Sequence, residues 1–148
     1  MSRSIRIASG PGASSGHDYD RVGHNVLFVV VREGSAAVNH IPVSAVVIAY
    51  NDEPNMRACL ESITWADEII VVDSHSPDAT ERISREFTDQ VYQHDFHGFG
   101  RLRNEALTHA THDWVFSLDT DERATPELRE EIRRVLAAGP EADAYFVP

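Results

Sequence analysis

Two hydrophobic rhythms alternate along this chain, and the switch between them sets the elements it predicts. Val43 to Tyr50 is a near-continuous apolar run, the pattern of a strand buried on both faces of a parallel sheet. Pro54 suits the first turn of a helix, and Met56, Cys59, Leu60 and Ile63 follow at i, i+3, i+4 and i+7 on one helical face. A second run, Ile69 to Val72, ends on Asp73-Ser74. Ser76 and Pro77 then read as the N-cap and first residue of a helix with Ile83 and Phe87 on its buried side. Val91-Tyr92 is a weaker strand, and Gly98-Phe99-Gly100 leads into a helix carrying Leu102, Ala106, Leu107 and Ala110. A fourth strand, Trp114 to Leu118, ends on Asp119. Thr125-Pro126 opens a last helix with Leu128, Ile132, Val135 and Leu136 on one face, and Gly139-Pro140 stops it. Strands that restart about every 22 to 26 residues with helices between them predict an α/β fold on a largely parallel sheet.

The flanks read differently. In residues 1–40, Ser9 to Gly23 is rich in Gly, Ser and Asp and reads as a flexible extension, with Asn25 to Val31 as a strand candidate. At the other end, Ala144 to Pro148 looks like a strand that begins as the chain stops, so the sheet is expected to be incomplete there. An apolar edge near Tyr145 to Val147 would favour pairing with a second copy or a partner. The expected division is therefore an extension over 1–40 and one α/β domain over 41–148.

Composition narrows the function classes. The 148 residues are 42% hydrophobic and 25% charged, which fits one globular domain. No apolar stretch is long enough for a transmembrane helix, and the N-terminus lacks the apolar core of a secretory signal. A cytoplasmic address is expected, with peripheral attachment at the inner membrane as an option. Cys59 is the single cysteine and has no disulfide partner. The net charge is −11, and every basic residue is arginine. The first 40 residues hold four arginines against Asp18, Asp20 and Glu33, while the remainder holds nine against 21 acids. A nucleic acid is thereby an unfavourable partner, whereas a phosphorylated ligand screened by a divalent cation is compatible.

Ligands of open parallel sheets bind beyond the carboxyl ends of the strands. Three polar clusters fall there: Tyr50-Asn51-Asp52-Glu53, Asp73-Ser74-His75-Ser76 and Asp119-Thr120-Asp121-Glu122. In an extended segment Asp119 and Asp121 point to one side and could supply hard oxygen ligands to Mg²⁺ or Mn²⁺; the plainer alternative is an acidic strand end that caps a turn. With Ser76 as the cap of the following helix, Asp73 is left to accept from a ligand such as the N–H of a pyrimidine base. Arg101 and Arg103, at the mouth of the third helix, suit either a diphosphate or a solvated surface. The pairs His94/His97 and His109/His112 lack the cysteine support of a zinc set.

Taken in order, four segments resemble the family 2 glycosyltransferases of the GT-A fold, and within them the bacterial subgroup acting on lipopolysaccharide core or similar envelope glycans. The segments are Val43 to Glu53, Cys59 to Ser74, Gly98 to Leu107 and Asp113 to Glu122. The resemblance implies a donor loop at Tyr50, Asn51 and Glu53, a base-reading carboxylate at Asp73, a basic donor contact at Arg103, and an Asp-x-Asp at Asp119 and Asp121. That last pair would hold a divalent metal on the diphosphate of a nucleotide sugar, usually UDP-linked. The implied reaction is inverting transfer to a glycan or lipid-linked acceptor. The family's general base follows the Asp-x-Asp at a distance that would lie beyond Pro148. The alternative is a truncated, non-catalytic nucleotide-sugar-binding or interaction module. His75 and Ala79 stand where relatives often carry glycine, which implies a stiffer loop. A phosphatase of the haloacid-dehalogenase type is disfavoured, because its Asp-x-Asp follows the first strand.

Overall fold

The computed structural model describes residues 40–139 and Tyr145. The expected extension over 1–40 and the strands at Asn25 to Val31 and Ala144 to Pro148 lie outside them, apart from His40 and Tyr145. Eight elements alternate: β1 (Val43–Ala49), α1 (Glu53–Ser62), β2 (Glu68–Asp73), α2 (Thr80–Ser84), β3 (Val91–Gln93), α3 (Phe99–His109), β4 (Trp114–Asp119) and α4 (Pro126–Ala137). The four strands form one sheet in the order β3-β2-β1-β4, and every described pairing is parallel. The α/β architecture predicted from the apolar runs is the one observed.

Both sheet faces are covered, which is why the strands read as continuous apolar runs. On one face Ala45, Val47, Val71, Phe116 and Leu118 pack against Met56, Cys59 and Leu60 of α1, Ile83 of α2, and Ile132 and Leu136 of α4. On the other, Val46, Ile70, Val72 and Val115 meet Leu102, Ala106 and Leu107 of α3. The helical face predicted for α1 is fully buried, including Ile63 just beyond its end.

One helix start is corrected. Residues 77–79 are bends, α2 begins at Thr80, and Ser76 is not its cap. Asp78 does that work instead: its Oδ1 accepts from the Thr80 N–H at 2.9 Å. In α4 the cap is as predicted, with Thr125 Oγ1 accepting from the Leu128 N–H at 3.2 Å and Pro126 in the first turn.

At the opposite end of the sheet from the predicted site, Glu68 is buried and its carboxylate is saturated. It accepts from Ser44 Oγ, from Gln90 Nε2 at 3.0 Å, and from the Thr111 N–H and Oγ1 at 2.9 and 3.0 Å. This network ties β1, β2 and the α3–β4 connection together, a structural use of buried charge.

Candidate functional site

Because the sheet order places β1 between β2 and β4, the chain leaves β1 to build one side of the sheet and returns to the other at β4. The crevice above the carboxyl ends of β1 and β4 is the topological switch point, where ligands of open α/β sheets bind. The loop after β1 occupies its centre. Asp73 pairs in register with Ala49 and Asp119 with Ile48, so the two carboxylates flank the end of β1. Two strand spacings put their backbones about 10 Å apart. Side-chain alternation sends Asp73 toward the face of α1 and α2, and Asp119 toward the face of α3.

The central loop is held from outside itself. Three consecutive amides donate to side chains of the β2–α2 connection: Asn51 to Ser76 Oγ at 2.8 Å, Asp52 to Thr80 Oγ1 at 2.8 Å, and Glu53 to Asp78 Oδ2 at 3.0 Å. Glu53 returns the favour, with its Oε2 accepting from the Ala79 N–H at 3.1 Å. Asp52 uses its carboxylate on the Tyr50 N–H, so α1 takes no side-chain cap from its own N-cap residue. Asn51 and His75, one in each loop, adopt left-handed φ values of 56° and 57°. His75 is thus the residue for which a glycine would be the easier choice. Tyr50 is 61% exposed and free to stack against a planar ligand.

Asp73 corrects the expectation drawn from Ser76. It is fully buried, and its carboxylate accepts from the Ser76 N–H at 3.0 Å, from Ser76 Oγ, and from Gln93 Nε2 at 2.9 Å. Instead of capping the next helix, Ser76 is spent on Asp73 and on the Asn51 amide.

On the other flank, Arg103 of α3 reaches Asp119 Oδ1 at 2.6 Å. The expected same-side geometry of Asp119 and Asp121 does not arise from an extended strand. The chain turns at residues 119–122, where the Glu122 N–H donates to the Asp119 carbonyl at 3.0 Å and Glu122 Oε2 accepts from the Asp119 N–H at 3.1 Å. Arg123 fastens this turn, donating to the carbonyls of Thr120 at 2.8 Å and Asn55 at 3.3 Å. Asp121 is exposed at its tip. Cys59 sits beneath, fully buried, its Sγ 3.6 Å from the Asp119 carbonyl oxygen; burial pushes its thiol up to about 12, so it is no nucleophile.

Among the described residues no group of three or more His, Cys, Asp or Glu side chains could hold a metal ion by itself. Two carboxylates on a rim fit Mg²⁺ or Mn²⁺, which are commonly bound by one or two carboxylates together with substrate phosphates. The histidines pair differently from their sequence spacing. His94 Nε2 lies 3.3 Å from His109 Nε2, Tyr92 stacks on His109, and burial followed by the neighbouring His94 charge lowers the His109 pKa. Gln93, Asp78, Thr80 and Arg123 hold the loops and the turn around the candidate site, and the sequence reading did not single them out. Of these only Asp78-x-Thr80, a carboxylate two residues before a helix start, carries a readable local signal.

No described helix is long and apolar enough to cross a membrane. The family model for glycosyl transferase family 2 matches residues 44–147. The lipopolysaccharide core biosynthesis glycosyltransferase LpsC of Rhizobium meliloti (strain 1021) is 33% identical over 112 residues, 72% of this chain and 42% of LpsC. The chain thus spans less than half the length of that relative. Mannosyl-3-phosphoglycerate synthase from Rubrobacter xylanophilus superposes with a TM-score of 0.58 at 26% identity, covering 68% of this chain and 37% of that one. S. aureus TarS 1-349 in complex with UDP gives a TM-score of 0.52 at 25% identity, covering 64% of this chain and 32% of TarS. With the parallel β3-β2-β1-β4 sheet and the rim described above, these likenesses give a GT-A fold, and the chain belongs to glycosyl transferase family 2.

Proposed function

We propose that residues 41–148 form the donor half of a glycosyltransferase that takes a UDP-linked sugar and transfers it, with inversion, to an envelope glycan or lipid-linked acceptor. The observation that carries this reading is the Arg103–Asp119 ion pair at the switch point, beside a loop whose three amides are clipped in place. The likeness to TarS solved with UDP supports the choice of nucleotide, and the match to LpsC supports the class of acceptor.

In this reading Tyr50 stacks on the base, and Asp73, buried and held by Ser76 and Gln93, serves the base through the shape of the loop after β2. Asn51 shapes the loop around the ribose, and Arg103 pairs with the diphosphate. Glu53 acts through the loop's shape, because its carboxylate is held by the Ala79 amide. Asp119 and Asp121 would hold Mg²⁺ or Mn²⁺, which when bound neutralises charge developing on the diphosphate. In the transfer, an acceptor hydroxyl oxygen bonds to the anomeric carbon as the bond from that carbon to the diphosphate oxygen breaks. UDP leaves with the electron pair, and the hydroxyl proton goes to a base from the half of the family architecture that follows the Asp-x-Asp turn.

Thermal unfolding of the chain with UDP, with Mn²⁺, with both, and with both on Asp121→Ala tests the reading. A ligand at 100 times its dissociation constant adds about 2.7 kcal/mol, so a metal-dependent UDP shift lost in the variant is expected. No shift for a folded wild-type chain would sink it. The alternative is a nucleotide-sugar-binding module without transfer activity. Turnover of UDP-sugar by the chain alone would exclude that reading.

A further inference from the structure

Among the described residues the exposed large hydrophobic side chains are Tyr50, Phe96 and Phe99. All three follow the carboxyl ends of strands, Tyr50 after β1 and the two phenylalanines after β3. Exposed apolar side chains scattered singly are ordinary; gathered on the rim that carries the candidate site, they point to something that covers them.

Phe99 has the more telling position. It is the first residue of α3, and Leu102 and Ala106, three and seven positions on, are buried against the sheet. Phe99 therefore continues the sheet-facing stripe of α3, yet it is 66% exposed. The reason is its height. As the crossover between parallel strands, α3 starts at the carboxyl-end rim, where its first turn has no strand beneath it. Arg103, four residues on, shares this face and reaches Asp119 at 2.6 Å. The Phe99 backbone stands about 6 Å further out along the helix than that of Arg103.

The ring is also held. Phe96 and Phe99 pack edge to face, with centroids 5.1 Å apart and planes at 77°. Gly98 folds the chain back between them at φ 103° and ψ 149°, a conformation open in practice to glycine alone. No atom beyond its chain neighbours lies within 4 Å of where a Cβ would stand, so the turn, not crowding, calls for the glycine. Edge-to-face packing leaves at least one face of each ring free.

We infer that Phe99, braced by Phe96, is a further stacking surface for the base of a bound nucleotide, with Arg103 one turn along on the diphosphate. This rests on the donor-site reading, and it adds a binding residue at the start of α3 that the reading leaves unused. Every base has a flat π face that can cover a phenyl ring, whereas a sugar ring is puckered and rimmed with hydroxyls. Such a contact strengthens nucleotide binding without choosing between pyrimidines.

The experiment is calorimetric binding of UDP, CDP and inorganic pyrophosphate in Mg²⁺ to the full chain and to Phe99→Ala, Phe99→Tyr and Phe96→Ala. Phe99→Ala is expected to bind UDP and CDP each about tenfold more weakly, the size of one base–aromatic contact, and pyrophosphate as the wild type does. Phe99→Tyr keeps the ring face and is expected within about twofold of the wild type. Phe96→Ala, which removes only the brace, is expected to fall between them. In nuclear magnetic resonance, the uracil H5 and H6 protons of bound UDP are expected to show Overhauser contacts to the Phe99 ring. If the wild type binds UDP but Phe99→Ala binds it equally well, or loses pyrophosphate by the same factor, or no Overhauser contact is seen, the inference is overturned while the donor site stands. If the wild type binds neither nucleotide, the donor-site reading falls and takes the inference with it. Should Phe99→Ala fail to fold, Phe99→Leu, which keeps apolar bulk without a ring, takes its place with the same expected losses.

Discussion

Arg103 holds Asp119 at 2.6 Å, so the first carboxylate of the Asp-x-Asp already carries a positive partner when no ligand is bound. Both groups are partly exposed, and solvent reduces the pair to about 1 kcal/mol. If the site binds a nucleotide sugar as proposed, the guanidinium and a divalent ion would compete for one carboxylate, and an arriving diphosphate would give the guanidinium somewhere else to go. Arg103→Gln should bind Mn²⁺ alone several-fold more tightly and UDP with Mn²⁺ about tenfold more weakly. Calorimetric titration of each ligand separately checks both signs; weaker binding of Mn²⁺ alone would remove the competition argument.

Asp78 caps two helices, through Thr80 on α2 and through Glu53 on α1. Asp78→Ala should lower stability by about 2 kcal/mol, near 1 for each cap, and Asp78→Asn by less, because its one oxygen can serve one of the two amides. Urea unfolding midpoints measure this. An unchanged midpoint for the alanine variant would mean that the clip contributes nothing to the fold.

The left-handed His75 gives a prediction that contacts alone would not. Glycine relieves the backbone conformation but loosens the unfolded chain, so His75→Gly should stay within about 1 kcal/mol of the wild type. A β-branched side chain has no such outlet, and His75→Val should cost about 1–3 kcal/mol. The two melting temperatures decide it, and equal losses would contradict the assigned φ.

Acid should remove stability over two pH windows. Burial alone would raise the Glu68 carboxyl, but its bonds from Ser44, Thr111 and Gln90 outweigh that and hold it below the ordinary carboxylate range. A carboxyl held low in the folded state contributes stability above its unfolded pKa, and that stability is lost as pH falls through the folded value. His109 is likewise held below its ordinary value of 6.5, so its loss begins earlier, as pH falls from about 6.5 and protonation favours the unfolded chain. Glu68→Gln should flatten the lower window and His109→Phe the upper one in stability measured against pH. A profile unchanged by either substitution would remove these groups as its cause.

The strands and the α1 and α4 faces were legible because long apolar runs and 3.6-residue periods persist over whole elements. The short α2 was not, because its start was decided by competition. Ser76 has the chemistry of a cap, but Asp73 behind it and the Asn51 amide beside it claim the hydroxyl first. The Asp119–Asp121 spacing was readable as two carboxylates on one rim, but not as the tips of a turn, since Glu122 and Arg123 close that turn through backbone groups that leave no periodic trace. Gln93 was invisible for a similar reason: its importance comes from its register opposite Asp73, and register between parallel strands is a property of the whole sheet.

The register of β1 against β4, Val43 with Trp114, joins segments far apart in sequence, whereas β1, β2 and β3 are successive. Closing that long loop carries an entropic barrier that the earlier pairings do not share. During synthesis, residues 43–93 can therefore assemble the Asn51 clip and the Asp73–Gln93 pair before Asp119 has left the ribosome. The loop after β1 and its clip are made first, and the acidic turn at Asp119 is delivered to them by the last of the described strands to join.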